Sequence, residues 1–370
     1  MLKRVSIQNF KSLKDVTLDL QKVNLLIGPN NSGKTNFLKA LVKFNDFFDE
    51  NYSTLNENYF QKNPSNDIFI GLTFEGKPYK DLEENYISAV YQNYGQSSAN
   101  YQLSLHLGRR VDAIQKESTR LPAVSSVMKA FAGIDYIYKP DPNKLTQPSI
   151  LGTGAQSVNA DASNLIAFFD FIRDDQPDAF ARIRSDLQKC VPEFIEINFQ
   201  NIPSNDDLVK QFGPGTYKRL GLTNGRQGVK YWADELSEGT LYFLALLCII
   251  NQPNPPKLLL LEEPEKGIHP RRIREVMNFI RRLVAEKDIQ VIMTTHSPLL
   301  LDEFAESPEG VFVFDKEDNG ATTVRNLLRD VIEPANQENE RLGIPPVPYT
   351  EALGEYWTIG FLGGVPHETA

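Results

Sequence analysis

Residues Gly28-Pro29-Asn30-Asn31-Ser32-Gly33-Lys34-Thr35 have the spacing of a loop that wraps phosphates. Glycines let the backbone approach a ligand closely. Successive N–H groups then point inward as an anion nest at a helix start. In such a loop Lys34 reaches the β- and γ-phosphates of a nucleotide and the Thr35 hydroxyl binds Mg²⁺. Asn30, Asn31, Ser32, Gly33 and Asn36 complete the candidate cradle. A second constellation lies downstream, where Leu258 to Leu261 run into Glu262-Glu263-Pro264. Four leucines suit a central parallel strand, apolar on both faces, whose C-terminal end is where such sheets place ligands. Glu262 would hold Mg²⁺, directly or through water, and Glu263 would polarise an attacking water as general base. An acid pair at a strand end also suits a solvated turn, and it is the upstream loop that favours the catalytic reading.

Two further segments could complete the chemistry. Val291 to Thr295 form another apolar strand with a polar tip, placing His296 where a side chain reaches a γ-phosphate. Leu236-Ser237-Glu238-Gly239-Thr240 opens the apolar run Leu241 to Ile250. Ser237 reads as an N-cap. Ser237, Gly239 and the helix N-terminus equally present donors and a positive dipole end to an anion. The two readings are compatible.

These residues need elements to hold them. Val23 to Ile27 is a short apolar strand before the loop, and a helix is expected from about Gly33 into the aromatic, Asn-rich stretch 44–60. Leu2, Val5, Ile7 and Phe10 alternate with polar residues, as do Val16 to Leu20, predicting two opening strands. Strand-like segments follow at 67–75, 86–94 and 101–107, and 108–160 reads as irregular. Helices are expected from Ser163 and over about 178–189, ended by Pro192, with a strand over 193–200. The nucleotide-binding pattern resumes near Gly221. The middle of the chain therefore reads as an insertion between two halves of one core, with a single decorated domain as the alternative.

The chain has 370 residues, 41% hydrophobic and 24% charged, with net charge −9. This is a globular composition, and its acidity argues against a surface devoted to nucleic-acid backbone. Cys190 and Cys248 lie in apolar surroundings without metal-ligand spacing, which suits a reducing compartment. Met1 to Arg4 lead into a strand and show no signal-peptide pattern, and the longest apolar run is about half a membrane span. A cytoplasmic protein without a membrane segment is expected.

Taken in order, Gly28–Thr35, Leu236–Thr240, Leu258–Pro264 and His296 resemble the ABC-type ATPase superfamily. More closely they resemble the SMC-like, overcoming-lysogenization-defect (OLD) branch of predicted ATP-binding defence proteins. The start Asn9-Phe10-Lys11-Ser12, the run Glu262-Glu263-Pro264-Glu265 with His269-Pro270, and Thr295-His296-Ser297-Pro298 are similar to that branch. Leu353-Gly354-Glu355-Tyr356-Trp357 with Leu362-Gly363-Gly364 is similar to its stand-alone members. The chain departs from the transporter pattern, with Leu-Ser-Glu-Gly-Thr for the signature and Glu262 for the first acid. No Q-loop is mapped in the middle third.

The resemblance implies an α/β fold: an ABC-type P-loop NTPase core of mixed, largely parallel sheet flanked by helices, with an inserted α+β subdomain. The core is expected over 1–45 and 205–330, the insertion over 46–204 and a tail packing on core or partner over 331–370. It also implies ATP and Mg²⁺ as cofactors and a head-to-tail homodimer with two ATP molecules between subunits. Ser237 and Gly239 would then act in trans on nucleotide held by the other subunit's loop, acids and His296. A higher oligomer is open.

Branch members often carry a metal-dependent nuclease domain. Here Asp315, Glu317 and Asp318 could suggest a metal site, but Asn319-Gly320 between alternating segments is a hairpin signal. The tail after Glu333, with Pro345, Pro346 and Pro348, reads as irregular and as a possible interaction surface. The leading expectation is an ATPase switch for a separately encoded effector such as a nuclease, in bacterial anti-phage defence. The alternative is a DNA-binding clamp of recombination-repair type using Arg109-Arg110, Arg271-Arg272 with Arg274, and Arg281-Arg282. A charged helix face is the plainer account of the last two sets, and a transporter subunit is the least favoured reading.

Overall fold

The computed structural model describes residues 1–46, 67–75, 86–93, 101–107, 110–114, 137–150 and 155–365. It divides into two compact units. The first comprises Met1–Ile137, Lys257–Glu262 and Leu283–Ala370, the second Tyr138–Pro256 and Glu263–Arg282.

In the first unit the opening alternation becomes β1 (Leu2–Phe10) and β2 (Leu13–Asp19), followed by β3 (Val23–Ile27). Asn9 and Lys11 take left-handed backbone in the tight β1–β2 turn. β1 also pairs antiparallel with β4 (Ile68–Phe74), and β5 (Tyr86–Asn93), β6 (Tyr101–Leu107) and β7 (Arg110–Ile114) extend this sheet in the order β2-β1-β4-β5-β6-β7. A second sheet is built from β3, β13 (Leu258–Glu262), β14 (Gln290–Thr294), β15 (Val311–Lys316) and β16 (Thr322–Asn326). Its order runs β16-β15-β3-β14-β13, with the two-residue strand β8 (Ile137–Tyr138) beyond β13. β15, β3, β14 and β13 are mutually parallel, with β16 antiparallel at the edge. Parallel direction brings the C-terminal ends of β3, β13 and β14 to one edge of the sheet, which is where the motif residues follow.

Helix α1 (Lys34–Asp46) lays Phe37, Leu38, Leu41 and Phe44 into one core with residues of both sheets, including Ile7, Leu260, Ile292 and Phe314. Phe37 and Phe314 meet edge-to-face at 6.0 Å. Phe314→Ala is expected to cost about 3–5 kcal/mol, because the ring is fully buried and its site cannot collapse onto a parallel strand. A denaturant titration checks this, and a loss below about 1 kcal/mol would mean a looser core than the packing indicates.

In the second unit, after the two-residue strand β8 (Ile137–Tyr138), β9 (Ser149–Ile150), β10 (Phe194–Ile202), β11 (Tyr217–Asn224) and β12 (Lys230–Trp232) form an antiparallel sheet centred on β11. Helices α2 (Leu165–Asp175), α3 (Pro177–Cys190) and α4 (Glu238–Asn251) pack with it. α4 is apolar all round and buried from Gly239 to Asn251, as a helix without a polar face must be. Helix α5 (Ile273–Lys287) carries the chain on to β14.

Two expectations need correction. The segment 108–160 is not wholly irregular, since β7, β8, the short helix Pro142–Leu145 and β9 fall within it. The stretch after Glu333 is not irregular either. It forms α6 (Glu333–Arg341) and α7 (Leu353–Thr358), with non-helical chain between them at the three prolines. Pro334 sits in the first turn of α6, where its missing N–H costs nothing. The expected hairpin forms as β15–β16, and Asn319 Nδ2 donates to Glu317 Oε2 at 2.7 Å within its turn. The helix expected from about Gly33 forms as α1, and of the aromatic stretch 44–60 that it runs into, residues 47–60 lie outside the described residues.

Candidate functional site

In the first unit β3 ends at Ile27 and the chain turns through Gly28 to Gly33 into α1. Gly28 (φ 142) and Gly33 (φ 110) take backbone that side chains rarely adopt. A Cβ on Gly28 would lie 2.2 Å from the Phe314 carbonyl oxygen, and one on Gly33 2.3 Å from Thr322 Oγ1. The loop is thus pressed onto the sheet and admits no side chain at either position. Asn31 is also left-handed (φ 66). Asn30 and Asn31 are exposed, whereas Ser32, Gly33 and Lys34 are buried.

Lys34 Nζ donates to the carbonyls of Gly28 (2.7 Å) and Pro29 (2.9 Å). The cation is held inside its own loop by oxygens that phosphate oxygens can replace. Ser32 Oγ is buried without a hydrogen-bond partner, a vacancy of hydrogen bonding that an anion in the loop would fill. These features fit a nucleotide polyphosphate. Thr35 Oγ1 donates to Glu262 Oε1 at 2.9 Å, joining α1 to the end of β13. The two residues expected to hold Mg²⁺ are therefore side by side, and a hydroxyl with a carboxylate is the oxygen donor set this cation takes.

At the end of β14, Thr295 N donates to Leu26 O, fixing the tip to the P-loop strand, and His296 is exposed just beyond. His296 lines one cavity together with Gly28, Pro29 and Asn30. Glu263 follows Glu262 directly and takes left-handed backbone (φ 49), unusual for a residue with a side chain.

The second unit holds Ser237 and Gly239. Ser237 Oγ accepts from Thr240 N (3.2 Å) and caps α4, as the plainer reading had it. Both residues line a cavity of ≈540 Å³ with Glu193, Tyr231, His269 and Arg272. Arg272 donates to Glu193 at 2.9 Å. Burial pushes the Glu193 carboxyl up, but the Arg272 hydrogen bond and charge outweigh it and hold it below the usual carboxylate range. Gly267 (φ 74) packs so closely on Glu238 that a Cβ there would lie 2.3 Å from its carboxylate. This ties the loop after Glu263 to the start of α4.

Sequence reasoning missed the bracing of the phosphate loop. Asn36 Nδ2 donates to Ser12 Oγ (2.9 Å), and Thr322 Oγ1 lies 2.8 Å from both Ser12 Oγ and Ser32 O. Ser12 entered the sequence reading only through a family motif, and nothing local marked Thr322. Of the basic residues, Arg272 pairs with Glu193 and Arg282 lies 3.6 Å from Asp186, whereas Arg271 and Arg274 are exposed. Arg109 lies outside the described residues.

A parallel sheet with a phosphate loop, an acid-tipped strand and a polar strand end along one edge defines an α/β P-loop NTPase. A family model described as AAA ATPase domain matches residues 1–218. The chain belongs to that family and carries an AAA/ABC-type ATPase domain. A second model, described as "AAA domain, putative AbiEii toxin, Type IV TA system", matches residues 143–302.

Curated relatives include the energy-coupling factor transporter ATP-binding protein EcfA1 of Methanospirillum hungatei. It is 28% identical over 149 residues, 40% of this chain and 50% of that protein. EcfA of Methanoculleus marisnigri is 32% identical over 130 residues, 35% of this chain and 43% of that protein. The chain thus spans half or less of the length of these relatives. Among solved structures, an SMC head bound to the C-winged helix domain of ScpA superposes with TM-score 0.56 at 16% identity, covering 88% of this chain and 98% of that one. An SMC head from Pyrococcus furiosus, with an extended coiled coil and bound to the C-terminal domain of ScpA, gives 0.54 at 13% identity, covering 92% and 99%. The likeness is one of fold: an SMC-head-like core with extra antiparallel sheets. Among the described residues no helix is long and apolar enough to cross a membrane.

Proposed function

We propose that this chain is a Mg²⁺-dependent ATP hydrolase of the OLD-like branch that closes as a head-to-tail homodimer around ATP. In this reading the dimer is a switch for a separately encoded effector, such as a nuclease, in cytoplasmic defence against phage. The observation that carries it is the Thr35–Glu262 hydrogen bond, 2.9 Å long between residues 227 positions apart. It assembles a metal-binding pair beside a loop whose lysine and serine are already turned inward.

Each residue then has a role. Backbone N–H groups of Asn30 to Thr35 and the Lys34 ammonium bind the phosphates, with Asn36 bracing the loop. Thr35 and Glu262 hold Mg²⁺, which neutralises phosphate charge when bound. Glu263 takes a proton from the attacking water, and His296 orients the terminal phosphate. Ser237 and Gly239, at the N-terminus of the fourteen-residue helix α4, present donors to the nucleotide of the partner subunit. We assign the core to 1–45 and 205–330, the insertion to 46–204 and the tail to 331–370. The defence role is supported by the second family model, whose description names a toxin–antitoxin system. Arg272 and Arg282 lend the DNA-clamp alternative no support, since carboxylates of the chain itself engage them.

Ser237→Arg tests the trans contact. Ser237 is exposed at the start of α4, so the substitution leaves the core intact and fills the donor surface with a bulky side chain. ATP binding to the separate subunit is expected to persist, while turnover falls by about 10²-fold with loss of the closed dimer. Undiminished turnover would remove Ser237 from the site.

A further inference from the structure

The phosphate loop and His296 share their cavity with the Leu353–Val365 segment, to which the motifs give no role. The cavity, ≈710 Å³ in volume, is lined on one side by Gly28, Asn30 and His296 and on the other by Trp357, Gly360 and Gly364. We propose that the segment Leu353–Val365 is the outer wall of the nucleotide site, closing the terminal-phosphate end and positioning both Asn30 and His296. This deepens the reading of Gly28–Thr35 as an ATP site and rests on it.

Three contacts build the wall. At its start, Gly354 N donates to Asp302 Oδ1 (2.7 Å), and a Cβ on Gly354 would lie 2.5 Å from the Pro298 carbonyl oxygen. α7 therefore sits directly on the turn that leaves His296. In its middle, buried Trp357 donates Nε1–H to Gly364 O (3.2 Å), folding the segment back on itself. At its end, Gly363 (φ 73) and Gly364 (φ 63) are left-handed. A Cβ on Gly364 would lie 2.7 Å from Val313 Cγ1 and 3.4 Å from Gly28 Cα. The turn thus touches the first glycine of the phosphate loop through backbone alone.

A wall here does two things for hydrolysis. It fixes the strand-end histidine and the loop entry relative to each other, and it keeps bulk water from the reacting phosphate. Ser32, Gly33, Lys34 and Thr35 are not among the residues that line this cavity. The wall should therefore govern turnover more than binding.

The chain has two tryptophans, Trp232 and Trp357. Trp232 stacks under the Arg219 guanidinium at 4.1 Å in the second unit. In the full-length Trp232→Phe protein, emission reports Trp357 alone. Titration with Mg-ATP is expected to shift that emission saturably, with the midpoint found by calorimetry, and Lys34→Ala in the same background is expected to lose the shift. In an otherwise native chain, Gly364→Val is expected to lower kcat by about 10²-fold while KM for ATP stays within about threefold, since reacting groups are displaced and phosphate contacts kept. Heat saturating on ATP addition without any change in Trp357 emission would overturn the wall and leave the ATP site standing. A Gly364→Val enzyme with native kcat would do the same. No heat of ATP binding at all would overturn the ATP site itself, and the wall with it.

Discussion

Lys34→Ala is expected to weaken ATP binding by roughly 10²–10³-fold, the cost of removing one partner from a desolvated charge pair. Lys34 is buried at 6% exposure, so its ammonium is shielded from water and acts at close to full strength on a phosphate. The variant also removes the lysine from the Gly28 carbonyl, while the Pro29 carbonyl keeps the Ser32 N–H. A modest drop in thermal stability should accompany the loss, because an unpaired buried carbonyl costs about 1–3 kcal/mol. Calorimetric titration of the folded variant decides the matter, and near-native affinity would mean the loop holds its ligand without a cation.

Glu263→Gln is expected to keep ATP binding and to lower turnover by about 10²–10⁴-fold, the usual contribution of a positioned general base. The amide keeps the shape and hydrogen-bonding reach of the side chain but cannot take a proton. The backbone is an added reason to single out this residue. Glu263 is left-handed, a conformation that costs roughly 1–2 kcal/mol for a residue with a Cβ. Strain of this kind gathers where a side chain must be aimed. Gln shares the constraint, so any loss in the variant reports the proton and not the turn. Native turnover in Glu263→Gln would transfer the base role elsewhere.

Phosphate chemistry is local, and so the residues proposed for it were legible. A loop of eight residues must carry its own glycines, lysine and hydroxyl, and an acid pair must cap an apolar strand. The parallel sheet followed from the same segments, because Leu258–Leu261 and Val291–Met293 are apolar on both faces. What escaped notice is held by contacts between distant residues. Ser12 and Thr322 brace the phosphate loop across 310 positions with small hydroxyls whose bracing role nothing local marks. The segment Leu353–Val365 was noticed only as a family-like motif and as part of a tail, because its approach to Gly28 runs through Gly364, whose lack of a side chain leaves no local mark. The strands 68–74, 86–93 and 101–107 were expected as strands, but their joining to β1 depends on pairing across a long connection. Helix α6 was hidden by its surroundings: its nine residues are mostly polar, and the prolines that follow dominated the reading.

The central claim is that ATP brings two copies of this chain together. It is tested most directly by light scattering on Glu263→Gln, which is expected to bind ATP with little turnover, in the presence and absence of Mg-ATP. The account predicts a doubling of mass on ATP addition, reversed by introducing Ser237→Arg. A mass that stays constant with and without nucleotide would contradict the sandwich and leave the chain an ATPase whose assembly does not depend on its ligand.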